Sequence, residues 1–303
     1  MTTLPTFDFL MLQLKLKGIW QHRSLGQHFL TDSYLLERIA AATLCGPQSL
    51  AVEIGPGPGT LTTQLAARAG GLVAIEFDPR MKALHDDAFG TVDQAQFIYA
   101  DAMKMDLQRL AREAMARWRL SEAVLTGNLP FQITSPLLFG QCGPDAPWRA
   151  MVVMIQREVA DRICAAPHSK AYGILSVKLA YWWRVRERFE VSAERFFPRP
   201  QVDAAVLVFE RKDAAGQPTR EQWPGLSAFV DAAFGQRRKM LFNSLAGRWQ
   251  AYPGKDTVIG ALEALGISEK ARAEDLTPGE LLVLYRLIVD GAKKKVEPGI
   301  QPA

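Results

Sequence analysis

Short apolar runs alternate with amphipathic stretches along the first two-thirds of the chain. LAVEI (50–54) leads through a glycine-rich turn into TLTTQLAARAG (60–70), whose apolar residues have helical spacing. The runs LVAIEFD (72–78), QFIYAD (96–101), AVLTGNLP (123–130) and WRAMVVMIQ (148–156) read as further strands. Between them, MKALHDDAF (81–89), residues 107–120, PLLFGQ (136–141) and REVADRICA (157–165) read as helices. A helix is also predicted over 33–44, with Asp32 as its N-cap. The strands are apolar throughout rather than alternating. That is the pattern of a parallel sheet covered on both faces, an α/β architecture. After Lys170 the pattern changes. Residues 176–191 contain a β-rich stretch and 204–211 another strand, with the proline-locked FFPRPQVD (196–203) between them, which predicts an antiparallel edge. The polar, turn-rich KDAAGQPTRE (212–221) marks a boundary, and 223–292 is helical with no strand-like run.

Composition narrows this picture only modestly. The 303 residues are 48% hydrophobic and 22% charged, an ordinary globular balance that excludes wholesale disorder. Cys45, Cys142 and Cys164 are scattered, and the four histidines stand at no metal-ligand spacing, so neither a disulfide framework nor a metal centre is expected. The opening 18 residues are interrupted by Asp8, Lys15 and Lys17 and read as an appended arm, neither a membrane span nor a signal peptide. A cytoplasmic protein is expected. The net charge of +4 permits a nucleic-acid partner without requiring one.

Chemistry concentrates at the strand ends. Glu53-Ile-Gly55-Pro-Gly57-Pro-Gly59 links a strand to a helix, a turn at which a ligand can approach the main chain. A dinucleotide pyrophosphate and S-adenosylmethionine both use such turns. Glu53 suits the cationic second ligand and would repel the first. Glu76 ends the next strand, where a carboxylate accepts hydrogen bonds from both hydroxyls of a ribose; Asp101 ends the third, within reach of an adenine's amine. The fourth strand ends in Asn128-Leu129-Pro130-Phe131. This resembles the signature of enzymes that methylate a planar amino nitrogen. The lone pair of such a nitrogen is delocalised into its ring. The Asn128 amide oxygen and the Leu129 carbonyl can both accept its hydrogens, pulling it toward tetrahedral geometry; Pro130 fixes the turn and Phe131 can stack on the base. No cysteine follows a proline, which excludes cytosine-C5 methylation, and hydride transfer leaves the Asn-Leu-Pro-Phe motif without a role.

Taken together, SLGQHFL (24–30), VEIGPGPGTLT (52–62), GNLPFQITSPLL (127–138), SKAYGILSV (169–177), FFPRPQVDAAVL (196–207) and AFGQRRKMLFNSL (233–245) resemble the small-subunit ribosomal RNA adenine N6,N6-dimethyltransferases, over roughly residues 22–292. The resemblance implies a Rossmann-like class I methyltransferase sheet with an antiparallel edge plus a small all-α C-terminal domain. It divides the chain into an arm (1–21), a methyltransferase domain (22–212), a helical RNA-binding domain (213–292) and a disordered tail (293–303). S-adenosylmethionine would be the donor, and two adjacent adenines in the 3′-terminal hairpin loop of 16S rRNA, on an immature 30S subunit, the substrate of a monomeric enzyme. Carried over residue by residue, it implies His28, Leu30, Gly55, Glu76, Asp101 and Asn128 around the cofactor, beside Glu53 and Gly57 already read from the glycine turn, and Phe196 against the target base. Family members usually carry tyrosine and asparagine where Phe131 and Gln132 stand. Related methyltransferases of large-subunit rRNA are the nearest rival, and an assembly factor that only binds the subunit is the alternative from another class.

Positive charge is clustered. Arg237, Arg238 and Lys239 are expected within one helical turn, and Arg184, Arg186 and Arg188 on one face of a strand; Arg23, with Lys15 and Lys17, adds charge near the cofactor loop. All are candidate RNA contacts, and the family resemblance singles out the 237–239 cluster.

Overall fold

The computed structural model describes residues 4–19, 27–213 and 215–296, with side chains described to residue 290. Contacts gather them into two compact units. The first comprises Met1–Gln141, Ala146–Ala160 and Trp183–Arg211; the second comprises Cys142–Asp145, Asp161–Trp182 and Lys212–Ala303.

The first unit opens with helix α1 (Phe7–Leu16), the short strand β1 (Phe29–Leu30) and α2 (Ser33–Ala42). The Asp32 carboxylate accepts the Leu35 N–H at 3.1 Å, satisfying one of the unpaired donors at the start of α2. Then follow β2 (Ser49–Ile54), α3 (Thr60–Ala66), β3 (Gly71–Glu76), α4 (Lys82–Phe89), β4 (Ala95–Tyr99), α5 (Leu107–Trp118), β5 (Glu122–Asn128), α6 (Thr134–Gly140), β6 (Trp148–Gln156) and the first four residues of α7 (Arg157–Ile163), whose last three are counted with the second unit. The unit closes with β7 (Trp183–Val191), β8 (Phe196–Phe197) and β9 (Ala204–Arg211).

Seven of these strands form one sheet in the order β4-β3-β2-β5-β6-β9-β7. Strands β2 to β6 are parallel, and β9 runs antiparallel between β6 and β7. All residues of β2 and β3 are buried, which explains why their sequences do not alternate. One face of the sheet is sealed by Leu36, Ile39, Leu61 and Leu65 packed with Val152, Met154, Val206 and Val208. Each such side chain contributes roughly 1.5–3 kcal/mol of apolar burial. The chain leaves β2 toward β3 on one side, and β5 returns on the other. The carboxyl ends of β2 and β5 therefore flank a topological switch point, where open α/β sheets hold ligands.

The N-terminal arm carries a docked helix. Leu10 and Leu14, four residues apart, place α1 on Met81, Leu84 and Phe89 of the α4 region, and Lys17 pairs with Asp87 at 2.6 Å.

The second unit holds α8 (Ile174–Trp182), α9 (Gln222–Phe234), α10 (Leu241–Ala246), α11 (Lys255–Ala264) and α12 (Pro278–Val296). The Tyr172 hydroxyl donates to the Leu276 carbonyl at 2.9 Å, and the buried Lys178 ammonium pairs with Asp231 at 2.8 Å.

Several expectations need correction. The β-rich stretch expected within 176–191 is β7 (Trp183–Val191), and residues 176–182 ahead of it lie in α8, a helix the sequence pattern does not announce. That helix is buried on nearly every side, so it lacks the polar face that reveals a helical period. Residues 161–182, assigned from sequence to the 22–212 domain, cluster with the second unit, as does Lys212 itself. Residues 293–296 of the expected disordered tail continue α12; 297–303 lie outside the described residues. Arg237, Arg238 and Lys239 are not in a helix. Helix α9 stops at Phe234 with Gly235 as its C-cap, and 235–239 form a turn before α10. Arg184 and Arg188 do not share a face either. A bulge at Arg186 shifts the pairing between Val185 and Glu187, so Arg184 opposes Glu210 whereas Arg188 opposes Leu207, on the other side of the sheet.

Candidate active site

The glycine turn after β2 is tied to the neighbouring strand at two points. Gly55 N–H donates to the Ile75 carbonyl and Gly57 N–H to Glu76 Oε2, both at 2.9 Å. At Gly57 φ is +55°, and a Cβ would stand 2.8 Å from the Phe29 ring, so a side chain there meets both backbone strain and an aromatic wall. The second oxygen of Glu76 accepts the Asp78 N–H at 2.8 Å. Burial pushes the Glu76 carboxyl upward in pKa, and these N–H bonds oppose that rise. Each oxygen still has acceptor capacity.

The turn after β5 is equally constrained. Leu129 N–H donates to the Met154 carbonyl at 3.0 Å, and the Pro130 carbonyl accepts from Ile133 N–H (3.1 Å) and the Thr134 hydroxyl (3.2 Å). Asn128 Nδ2 donates to the His28 carbonyl at 2.8 Å. A carbonyl partner identifies that end of the amide as NH₂, so Oδ1 is the end left to accept. Among the described residues nothing donates to Asn128 Oδ1 or to the Leu129 carbonyl. The His28 ring lies 2.7 Å from the Pro198 carbonyl through Nδ1, which must then carry the proton. Leu30 pairs with Phe196 in the β1–β8 ladder. Segment 28–30 thus joins the Asn128 turn to the proline loop.

These elements enclose a cleft of about 250 Å³ at the carboxyl end of the sheet. The structure brings together His28, Gly55, Gly57, Glu76, Asp101, Asn128, Leu129, Pro130, Phe131 and Phe196 along its wall. Asp101 accepts the Met103 N–H at 2.9 Å through Oδ1. Two carboxylates, two glycines exposing main chain, and the apolar face of Phe77 fit an adenosine-bearing ligand.

Leu30 and Glu53 are not on the wall of this cleft, although the cavity they do line shares Gly55 and Asn128 with it. They line a smaller adjoining cavity of about 40 Å³ instead. Glu53 is fully buried and accepts the Thr62 hydroxyl at 2.7 Å; burial raises its carboxyl to a pKa of about 8. A native pKa above the unfolded value means the folded state holds the extra proton between pH ~4.5 and ~8. Stability from this group is complete below that window and is lost as pH rises through it, at no more than about 1.4 kcal/mol per pH unit. In the donor-free protein, Glu53→Gln is expected to remove this fall, read as the wild-type minus variant difference in urea midpoint from pH 5 to 8. A difference that does not change with pH contradicts it.

Of the expected RNA contacts, Arg184 pairs with Glu210 at 2.6 Å, and Arg237 with Glu274 at 2.9 Å and the Lys170 carbonyl at 3.0 Å. Arg186 protrudes at the bulge, Arg238 and Lys239 are exposed, and Arg23 lies outside the described residues. No cluster of three or more His, Cys, Asp or Glu placed to hold a metal ion occurs among the described residues.

Two residues escaped sequence reasoning. Phe77, 58% exposed on the cleft wall, directly follows Glu76. His85 is buried beneath the glycine turn. Its signal was a polar residue within the apolar stripe Met81, Leu84, Phe89.

Comparison with known proteins agrees with this geometry. Residues 20–290 match the family model described as ribosomal RNA adenine dimethylase. The chain is 40% identical over 273 residues to the ribosomal RNA small subunit methyltransferase A of Desulfitobacterium hafniense (strain DSM 10664 / DCB-2), across 90% of this chain and 94% of that one. It is 35% identical over 284 residues to the protein of the same name from Listeria monocytogenes serotype 4a, across 93% and 95%. Among solved structures, a dimethyladenosine transferase from Plasmodium falciparum matches with a TM-score of 0.68 at 21% identity, covering 85% of this chain and 96% of that one. The 23S rRNA methyltransferase ErmE matches at 0.59 and 22%, covering 86% and 99%. Those two likenesses concern the fold, a class I methyltransferase sheet. The family match and the identities to the bacterial relatives, extending over nearly the whole chain, make this protein a member of the ribosomal RNA adenine dimethylase family.

Proposed function

We propose that the protein dimethylates N6 of two adjacent adenines in the 3′-terminal hairpin loop of small-subunit rRNA, with S-adenosylmethionine as donor and the immature small subunit as partner. The observation that carries this reading is the Asn128 turn. Its amide is oriented by the His28 carbonyl, and two acceptors, Asn128 Oδ1 and the Leu129 carbonyl, have no donor among the described residues on the wall of a cleft that also holds Glu76 and Asp101. The names of the bacterial relatives favour the small-subunit substrate over the large-subunit rival.

When bound, the donor supplies an electrophilic methyl on a positive sulfur. Glu76 would hold its ribose hydroxyls and Asp101 its adenine amine, with Phe77 against the ring and the main chain of Gly55 and Gly57 beneath. Asn128 Oδ1 and the Leu129 carbonyl accept the two hydrogens of the target amine and draw its lone pair out of conjugation. Phe131 presents an aromatic face for the base, which must leave its stack to enter, while Phe196 reaches the cleft wall from the core, where it is 6% exposed and packed with Leu30 and Phe189. No side chain is required as a covalent nucleophile, and acceleration arises from positioning and electrostatics.

The test uses purified protein, labelled donor and small subunits from a strain lacking this modification, with mass analysis of the product adenines. Dimethyladenine at two neighbouring positions supports the reading. Binding without methylation means an assembly factor, and monomethyl product alone rejects dimethylation. The RNA face is tested separately. Because Arg237 is committed to Glu274, Arg238→Glu with Lys239→Glu is the informative pair. It is expected to weaken subunit binding and to flatten the salt dependence of log affinity by roughly 0.7–0.9 for each phosphate no longer neutralised. An unchanged slope removes this turn from the interface.

A further inference from the structure

We infer that His85 is a positioning residue for the donor-binding turn, holding Gly57 from beneath through a directional chain of hydrogen bonds that ends on Glu76. His85 Nε2 lies 2.8 Å from the Gly57 carbonyl, and Nδ1 lies 2.9 Å from the Tyr99 hydroxyl. A carbonyl can only accept, so Nε2 carries the ring proton and Nδ1 accepts from Tyr99. Gly57 N–H in turn donates to Glu76 Oε2 at 2.9 Å. The peptides on both sides of Gly57 are therefore anchored, one to His85 and the other to the carboxylate assigned to the donor's ribose.

The packing leaves the imidazole little freedom. Its ring stacks on Phe97 at 4.4 Å between centroids and meets Phe89 edge-on at 6.3 Å. Phe89 also lies under Gly59, where a Cβ would come within 2.6 Å of the ring, and Phe29 lies against Gly57. His85 is 1% exposed, and burial depresses its basicity to a pKa of about 4, so the ring stays neutral with one donor and one acceptor at physiological pH. A leucine of similar bulk would fill the space but leave the Gly57 carbonyl and the Tyr99 hydroxyl without partners. The turn could then relax away from the geometry that aims Glu76.

This inference rests on the donor assignment made above, and its test separates the two. In donor-free, full-length protein, His85→Leu and Tyr99→Phe are expected to speed hydrogen exchange at the Gly57 amide, a readout independent of any donor. Calorimetry with S-adenosylmethionine is expected to give about tenfold weaker binding for His85→Leu. His85→Gln, which offers both a donor and an acceptor, should restore affinity to within about threefold. In steady state the KM for donor rises, while kcat at saturating donor and the KM for subunits hold. A purely structural role would lower thermal stability without this split and without rescue by glutamine. The inference is overturned if folded His85→Leu binds donor and protects the Gly57 amide as the wild type does, or if glutamine and leucine behave alike. Failure of the wild type to bind S-adenosylmethionine would overturn the donor assignment instead, and the exchange result would still stand or fall on its own.

Discussion

Asn128→Ala is expected to lower single-turnover methyl transfer to small subunits by about 10²–10³-fold, the usual effect of removing one preorganised polar contact to a developing charge. The substitution deletes the only side-chain acceptor of the Asn128–Phe131 turn, the elbow after β5, and leaves the His28 carbonyl without the Nδ2 donor now 2.8 Å away. The second loss loosens segment 28–30 and, through the β1–β8 ladder, the Phe196 loop. Asn128→Asp separates the two contributions. It retains an acceptor on the target amine but sets a carboxylate against the His28 carbonyl, so activity should fall between wild type and alanine. Donor affinity, measured by calorimetry, should change far less than the rate. If Asn128→Ala turns over subunits near the wild-type rate, the elbow is not where the amine is held.

Much of this site could be read from the sequence because it lies at the ends of buried parallel strands. Continuous apolar runs locate such strands, and the residue that breaks each run, Glu76, Asp101 or Asn128, then falls at the carboxyl edge of the sheet. The same reasoning misplaced Glu53. It lies within β2, one residue before the end, and its carboxyl sits in the adjoining cavity with Thr62 rather than on the cleft wall. Period-based reading failed where the period is hidden or interrupted. Helix α8 has few polar positions, and a single bulged residue in β7 reverses the facing of everything after Arg186. His85 shows a third kind of blindness. Its role depends on the main chain of Gly57, 28 positions away, and a backbone carbonyl leaves no trace in residue identity.

Gly127→Ala is expected to be severely damaging to the first unit. Residue 127 has φ of +147°, and a Cβ there would lie 2.3 Å from the Ile54 carbonyl oxygen and 3.1 Å from the Ile54 nitrogen. Both atoms are main chain of β2, an interior strand held between β3 and β5, so neither can swing aside as a side-chain tip would. Accommodation requires pushing β5 from β2 immediately before the elbow, beside the turn that begins at Gly55. The combined strain and disrupted pairing place this change among the exceptional cases above about 4 kcal/mol. For a unit of this size that corresponds to a melting temperature lower by roughly 8–16 °C, with donor binding lost in parallel. Gly140→Ala supplies the contrast. Nothing lies within 4 Å of its added Cβ, and it sits at the end of α6, so stability should hold or rise by about 0.4–1 kcal/mol. Thermal unfolding of the two variants beside wild type decides the matter. If Gly127→Ala melts within a degree or two of wild type and binds donor normally, then β2 and β5 do not approach as closely at Ile54 as the elbow's placement requires.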